Sequence, residues 1–105
     1  MNLVKSVYAV SAKFPREEMF GLTAQMRRSA VSVPSNIAEG AGRGTSKEFR
    51  QQLVVARGSL SELETQVLIA QELGYATDTS ALQHQIKQTF MLMSALIRSL
   101  DARTS

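Results

Sequence analysis

The chain has 105 residues, 44% of them hydrophobic, a mean hydropathy of −0.08, no cysteine and a net charge of +3. That length suits one domain and not two independent cores, and the composition excludes a disordered chain. Disulfides, thiol chemistry and Cys-based zinc sites are absent, and no apolar run approaches the ~20 residues of a membrane span.

Leu3, Val7, Val10 and Phe14 alternate in spacings of four and three, with Val4 and Tyr8 widening the stripe. This predicts an amphipathic helix and not a signal peptide, which leaves the cytoplasm as the default location. Pro15 ends the helix at or just before Phe14, because the residue preceding a proline disfavours the α region. The helix is short for a bundle member, so residues upstream of it or an overhanging partner helix are expected. Pro15 to Gly21 is a connector with helical character, since Glu17 and Glu18 favour a helix N-terminus.

From Leu22 a second stripe runs through Met26, Ala30, Val33 and Ile37, and Arg28, Ser32, Ser35 and Glu39 fall within about 60° of one another as a polar strip. Pro34 lacks an N–H and crowds the carbonyl of Ala30, which predicts a kink there. Ser32, Ser35 and Asn36 ease it by bonding to nearby backbone. Glycines at 40, 42 and 44 give the backbone too much freedom, so the helix is predicted to end near Gly40.

Thr45 with Glu48 forms a capping box. The third helix then keeps a four-three repeat through Phe49, Leu53, Ala56, Leu60, Leu63, Val67 and Ala70, the seam of a left-handed bundle. Val54, Leu68 and Ile69 lie off that seam, and Gly58 offers room for a neighbouring helix. Gly74 supplies the stop. Thr77 and Asp78, or Ser80 with Gln83, are the candidate caps of a fourth helix reaching about Ala102. Its stripe is Leu82, Ile86, Thr89, Met93, Leu96 and Leu100, with Phe90 and Ile97 beside it, so Phe90, Ile97, Val54 and Ile69 are expected as surplus apolar surface for self-association. Four helices with short loops and no strand-like alternation predict an all-α fold: a single antiparallel up-down-up-down four-helix bundle over residues 1–105, its second helix kinked at Pro34.

Phe20–Gly40 (FGLTAQMRRSAVSVPSNIAEG), Glu48-Phe49 and Ala56–Gln66 (ARGSLSELETQ), with Phe14-Pro15, carry a resemblance that covers most of the chain. These words resemble the four-helix-bundle family of proteins encoded in intervening sequences of bacterial 23S ribosomal RNA genes, which is similar in turn to the accessory variability determinants of diversity-generating retroelements. The resemblance implies a ring-like homo-oligomer, most often a pentamer, with no established catalytic activity. In the retroelement branch it implies binding of nucleic acid and a reverse transcriptase through a basic surface. Family members usually begin with one to three more helical turns than this chain does.

Residue chemistry agrees in pointing away from an enzyme, a cofactor or a metal. His84 is the single histidine, and the residue three before it is Ala81, so no Glu-x-x-His pair exists. The glycine-rich GAGRG follows a helix, not a strand, and lacks the Lys-Ser/Thr ending of a P-loop. Arg43 does give its tip a positive charge near a helix N-terminus, which favours anions. Pro34 to Gly40 reads as a structural kink, with Asn36 and Glu39 bonding across the bundle or a subunit boundary.

Charge placement carries the function reading. Arg27, Arg28, Arg43, Lys47, Arg50 and Arg57 are half of the 12 basic residues, face only Glu39 and Glu48 in that segment, and make it +4. Lys47, Arg50 and Arg57 fall within about 80° on the third helix and, with Arg43, Arg27 and Arg28, could form one basic strip. Two roles stay open: phosphate contacts of an RNA- or DNA-binding accessory protein, multiplied in a ring, or the solvated face of a protein-interaction scaffold. No aromatic residue is interleaved with the strip in sequence, so stacking on single-stranded bases is not indicated.

Overall fold

A computed structural model describes residues 2–104 as an all-α four-helix bundle: α1 (Asn2–Ser11), α2 (Leu22–Gly42), α3 (Ser46–Glu72) and α4 (Ser80–Thr104), with a 3-10 turn at Arg16–Glu18. At ~1.5 Å per residue α3 is about 40 Å long and sets most of the molecule's 47 Å length. α2 packs on α3, α3 on α4, and α1 on α2 and α4. Gly40 and Gly42, late in α2, adjoin the start of α3, where Gly40 faces Phe49 and Gln52. Arg50, early in α3, pairs with Asp101 late in α4, while Gln71, late in α3, accepts from Gln83 early in α4. These contacts run α3 opposite to both α2 and α4.

The apolar stripes become the core. Leu3 and Val7 of α1, Met26, Ala30 and Val33 of α2, Ala56 to Ala70 of the α3 seam, and Leu82, Ile86 and Met93 of α4 are buried together. Leu53, Ile97 and Leu100 form a second cluster, with Phe49 packed half-buried against it. Ile97, expected as surplus apolar surface, is 5% exposed. Phe90 and Val54, expected likewise, are half-buried against the same clusters. α4 therefore turns a wider arc inward than one stripe.

Helix ends depart from expectation in ways the side chains explain. α1 stops at Ser11, not Phe14, where the buried Ser11 hydroxyl donates to the Val7 carbonyl at 2.7 Å. Phe14 then folds into the core, its ring centroid 5.7 Å from that of Tyr75. The Glu18 carboxylate accepts from the Leu22 N–H at 3.1 Å and from the Tyr75 hydroxyl at 3.0 Å. It thereby caps α2 and ties that helix to the α3–α4 loop. The Glu18 bond also pushes the Tyr75 phenol above its ordinary value.

α2 continues through Gly40 to Gly42; Gly40 is packed against Gln52 and Phe49 of α3 and holds its helical conformation despite intrinsic freedom. Thr45 caps α3 as expected, accepting from the Glu48 N–H at 3.1 Å. Gly74, at φ 76°, ends α3 in a Schellman motif, with Tyr75 N–H on the Ala70 carbonyl and Gly74 N–H on that of Gln71. The start of α4 differs from both expected caps: the preceding residue is Thr79, buried, whose hydroxyl accepts from Gln83 at 2.7 Å and donates to Gln71 at 3.0 Å. Asp78 instead accepts from Ser80 N–H and hydroxyl, which holds its carboxyl below the usual range.

Candidate nucleic-acid interface

The six basic residues come from α2, α3 and the turn between them, and divide into separate groups. Arg43, Lys47 and Arg50 gather at the corner where α2 ends and α3 begins. Arg57 lies one heptad beyond Arg50, on the flank of α3 that turns toward α4. That side is fixed by Arg50 on Asp101 and by Glu64, which shares a groove with His84 and Lys87. Arg27 and Arg28 sit near the other end of α2, about 22 Å from Arg43 along the axis at the helical rise, and face α1. A single continuous strip is thus not what the fold builds.

The corner is screened by its own acids. Arg43 bonds to Glu39 one turn earlier and lies 3.9 Å from Glu48, and Arg50 bonds to Asp101. The hydrogen bonds to Glu39 and Asp101 raise both guanidinium pKa values, so both stay cationic. All of these groups are well exposed, and surface pairs of this kind contribute little to stability. An incoming phosphate can therefore replace the carboxylates at low cost. Lys47, Arg57 and Arg28 have no ion pair among the described residues. Glu39 is consequently occupied within its own helix, and Asn36 likewise donates to the Ser32 carbonyl at 2.7 Å. Neither makes the cross-bundle bond expected of it.

Arg27 has a different setting. Its Nε donates to Ser11 Oγ at 2.9 Å and its guanidinium carbon stands 4.5 Å from the centroid of the Tyr8 ring. This cation–π contact fastens α1 to α2. It also places an aromatic ring among the basic residues, which sequence spacing missed because Tyr8 belongs to another helix. Arg28 is exposed on the ridge between two grooves. One, between α2 and α3, is polar and lined by Gln25, Ser29, Ser32, Ser59, Glu62 and Gln66, where Gln66 Oε1 is enclosed without a donor among the described residues. The other, between α1 and α2, has a volume of about 540 Å³.

Among the described residues no cluster of three or more His, Cys, Asp or Glu could hold a metal, and no helix is long and apolar enough to cross a membrane. His84 is exposed beside Glu64, Lys87 and Phe90. A small four-helix bundle with a divided basic surface is the class these features define. Residues 1–97 match the sequence profile of the 23S rRNA-intervening sequence protein family, and the chain belongs to that family. Among curated proteins, none matches it.

Proposed function

We propose that the protein is a non-enzymatic, homo-oligomeric accessory protein that binds RNA or DNA through phosphates, using Arg43, Lys47 and Arg50 at the corner, Arg57 one heptad along α3, and Arg27 and Arg28 on α2. The observation that carries this reading is the +4 segment from Arg27 to Arg57, whose acids Glu39 and Glu48 pair with Arg43 only at the exposed surface. Repetition of the corner in an oligomer multiplies a weak contact per subunit. A reverse transcriptase is the protein partner that the retroelement resemblance would add.

Salt titration of binding to structured RNA and duplex DNA tests it. Each neutralised phosphate adds about 0.9 to the log–log slope on duplex, so Arg50→Glu/Arg57→Glu is expected to flatten the slope by ~2 per engaged subunit. No binding at low salt, or binding indifferent to the double reversal, favours the second reading, a protein-interaction scaffold. The observation on that side is Phe20, 90% exposed beside the half-exposed Met19, an apolar prominence that phosphate binding does not use.

A further inference from the structure

The α1–α2 groove brings together Tyr8, Arg27, Arg28, Val31, Ser32 and Ser35 around about 540 Å³, within the ~300–1,000 Å³ of small-ligand sites. Tyr8 is 43% and Val31 40% exposed, so an aromatic ring and an aliphatic side chain face solvent beside two arginines. Arg27 is not a loose surface cation. Its Nε is tethered to Ser11, itself buried and bonded to the Val7 carbonyl, so the guanidinium plane is fixed over the Tyr8 ring. Arg28, one residue on, has no carboxylate partner among the described residues.

We propose that this groove seats one unpaired nucleotide of a bound strand, an inference that rests on the phosphate-binding reading above. The base stacks on the open side of the Tyr8–Arg27 pair, since arginine planes and aromatic rings both accept a base face. Val31 supplies apolar contact for its edge. The adjoining phosphate lies on Arg28, with the Ser35 hydroxyl as a neutral donor. A duplex offers phosphates but no free base face and would leave the ring and Val31 uncovered. A paired helix therefore uses the corner residues, and the groove discriminates in favour of single-stranded segments.

The test compares a short oligoadenylate with a blunt duplex of equal length on the full chain and on Tyr8→Leu, Tyr8→Phe and Arg28→Gln. Thermal melting confirms that each variant is folded. Tyr8→Leu is expected to weaken strand binding on the order of tenfold, the effect of one lost stacking platform, and to leave duplex binding unchanged. Tyr8→Phe retains strand binding, and Arg28→Gln lowers the strand's salt slope by about one phosphate's worth. Strand binding indifferent to Tyr8→Leu, or equal losses on strand and duplex, overturns the seat while leaving phosphate binding intact. Titration with adenosine monophosphate, followed by the NMR shifts of the Tyr8 ring, separates the remaining cases. Ring shifts without any polymer binding would leave the groove a mononucleotide site and overturn both the bound strand and the wider reading. Absence of both overturns both.

Discussion

Two glycines, one on each helix of the α2–α3 pair, have opposite meanings. A Cβ at Gly40 would stand 2.7 Å from the Cβ of Gln52 and 3.2 Å from the Phe49 ring, so the two helices could not keep their separation. A Cβ at Gly58 would meet open space. Gly40→Ala is therefore expected to cost about 1–3 kcal/mol through overpacking of rigid atoms. Gly58→Ala should instead stabilise by about 0.5–1 kcal/mol by reducing the freedom of the unfolded chain. Paired denaturant titrations with equal slopes would check both signs, and a stabilising Gly40→Ala would refute the close approach. Sequence spacing had pointed to Gly58 as the place for a neighbour, because Gly40 reads as the end of a helix. Only the partner helix reveals which small residue is required.

Pro34 poses its question for a whole element. α2 runs unbroken from Leu22 to Gly42 with Pro34 inside it, although proline removes one N–H from the ladder and crowds the carbonyl four residues back. Asn36 Nδ2 on the Ser32 carbonyl, at 2.7 Å, and Ser32 Oγ on that of Ser29, at 3.3 Å, add side-chain bonds around this turn. We propose that Pro34 re-aims the second half of α2, which carries Gly40 and Arg43 toward the corner. Pro34→Ala restores the missing donor, so the subunit should tolerate it, with assembly altered and not folding. Unchanged melting together with an unchanged light-scattering mass would count against this role. The helices themselves were legible because their apolar periods are long and regular. Their ends were less so: the Thr79 hydroxyl, just before α4, donates to Gln71 of α3, and Glu18 accepts from the first N–H of α2 while holding Tyr75. Such partners are remote in sequence and have no local signature.

For the molecule as a whole, four helices in one bundle followed from periodicity, whereas the layout of the candidate surface followed only in part. The polar strip Arg28, Ser32, Ser35 could be read from angular spacing, and three of its members do line the α1–α2 groove. Tyr8 could not be placed there, since its neighbour Arg27 lies on the next helix. Self-association shows the same division. Of the sequence candidates for an exposed contact, Ile97 is buried and Phe90 and Val54 are half-buried, while Ile69 is 43% exposed on α3 and α4 presents Met91 at 65% and Leu92 at 62% exposure. Leu68, half-exposed on α3, lines the α3–α4 groove on one side of Met91, and Leu92 lines the α1–α4 groove on the other. Exposed large apolar side chains at neighbouring positions of a helix suit an interaction surface. A second copy of the chain is the occupant proposed for this one, with a pentamer the closed assembly that the resemblance implies. Light scattering at micromolar concentration should then give several times the 11.5 kDa subunit mass. Met91→Glu/Leu92→Glu should return it to one subunit with helical circular dichroism retained, because burying unpaired carboxylates in an apolar contact is strongly unfavourable while exposed ones on a lone bundle are not. A wild-type mass of one subunit would defeat self-association outright. A multiple mass unaltered by the double substitution would move the contact to another face, with Phe20 the next surface to substitute.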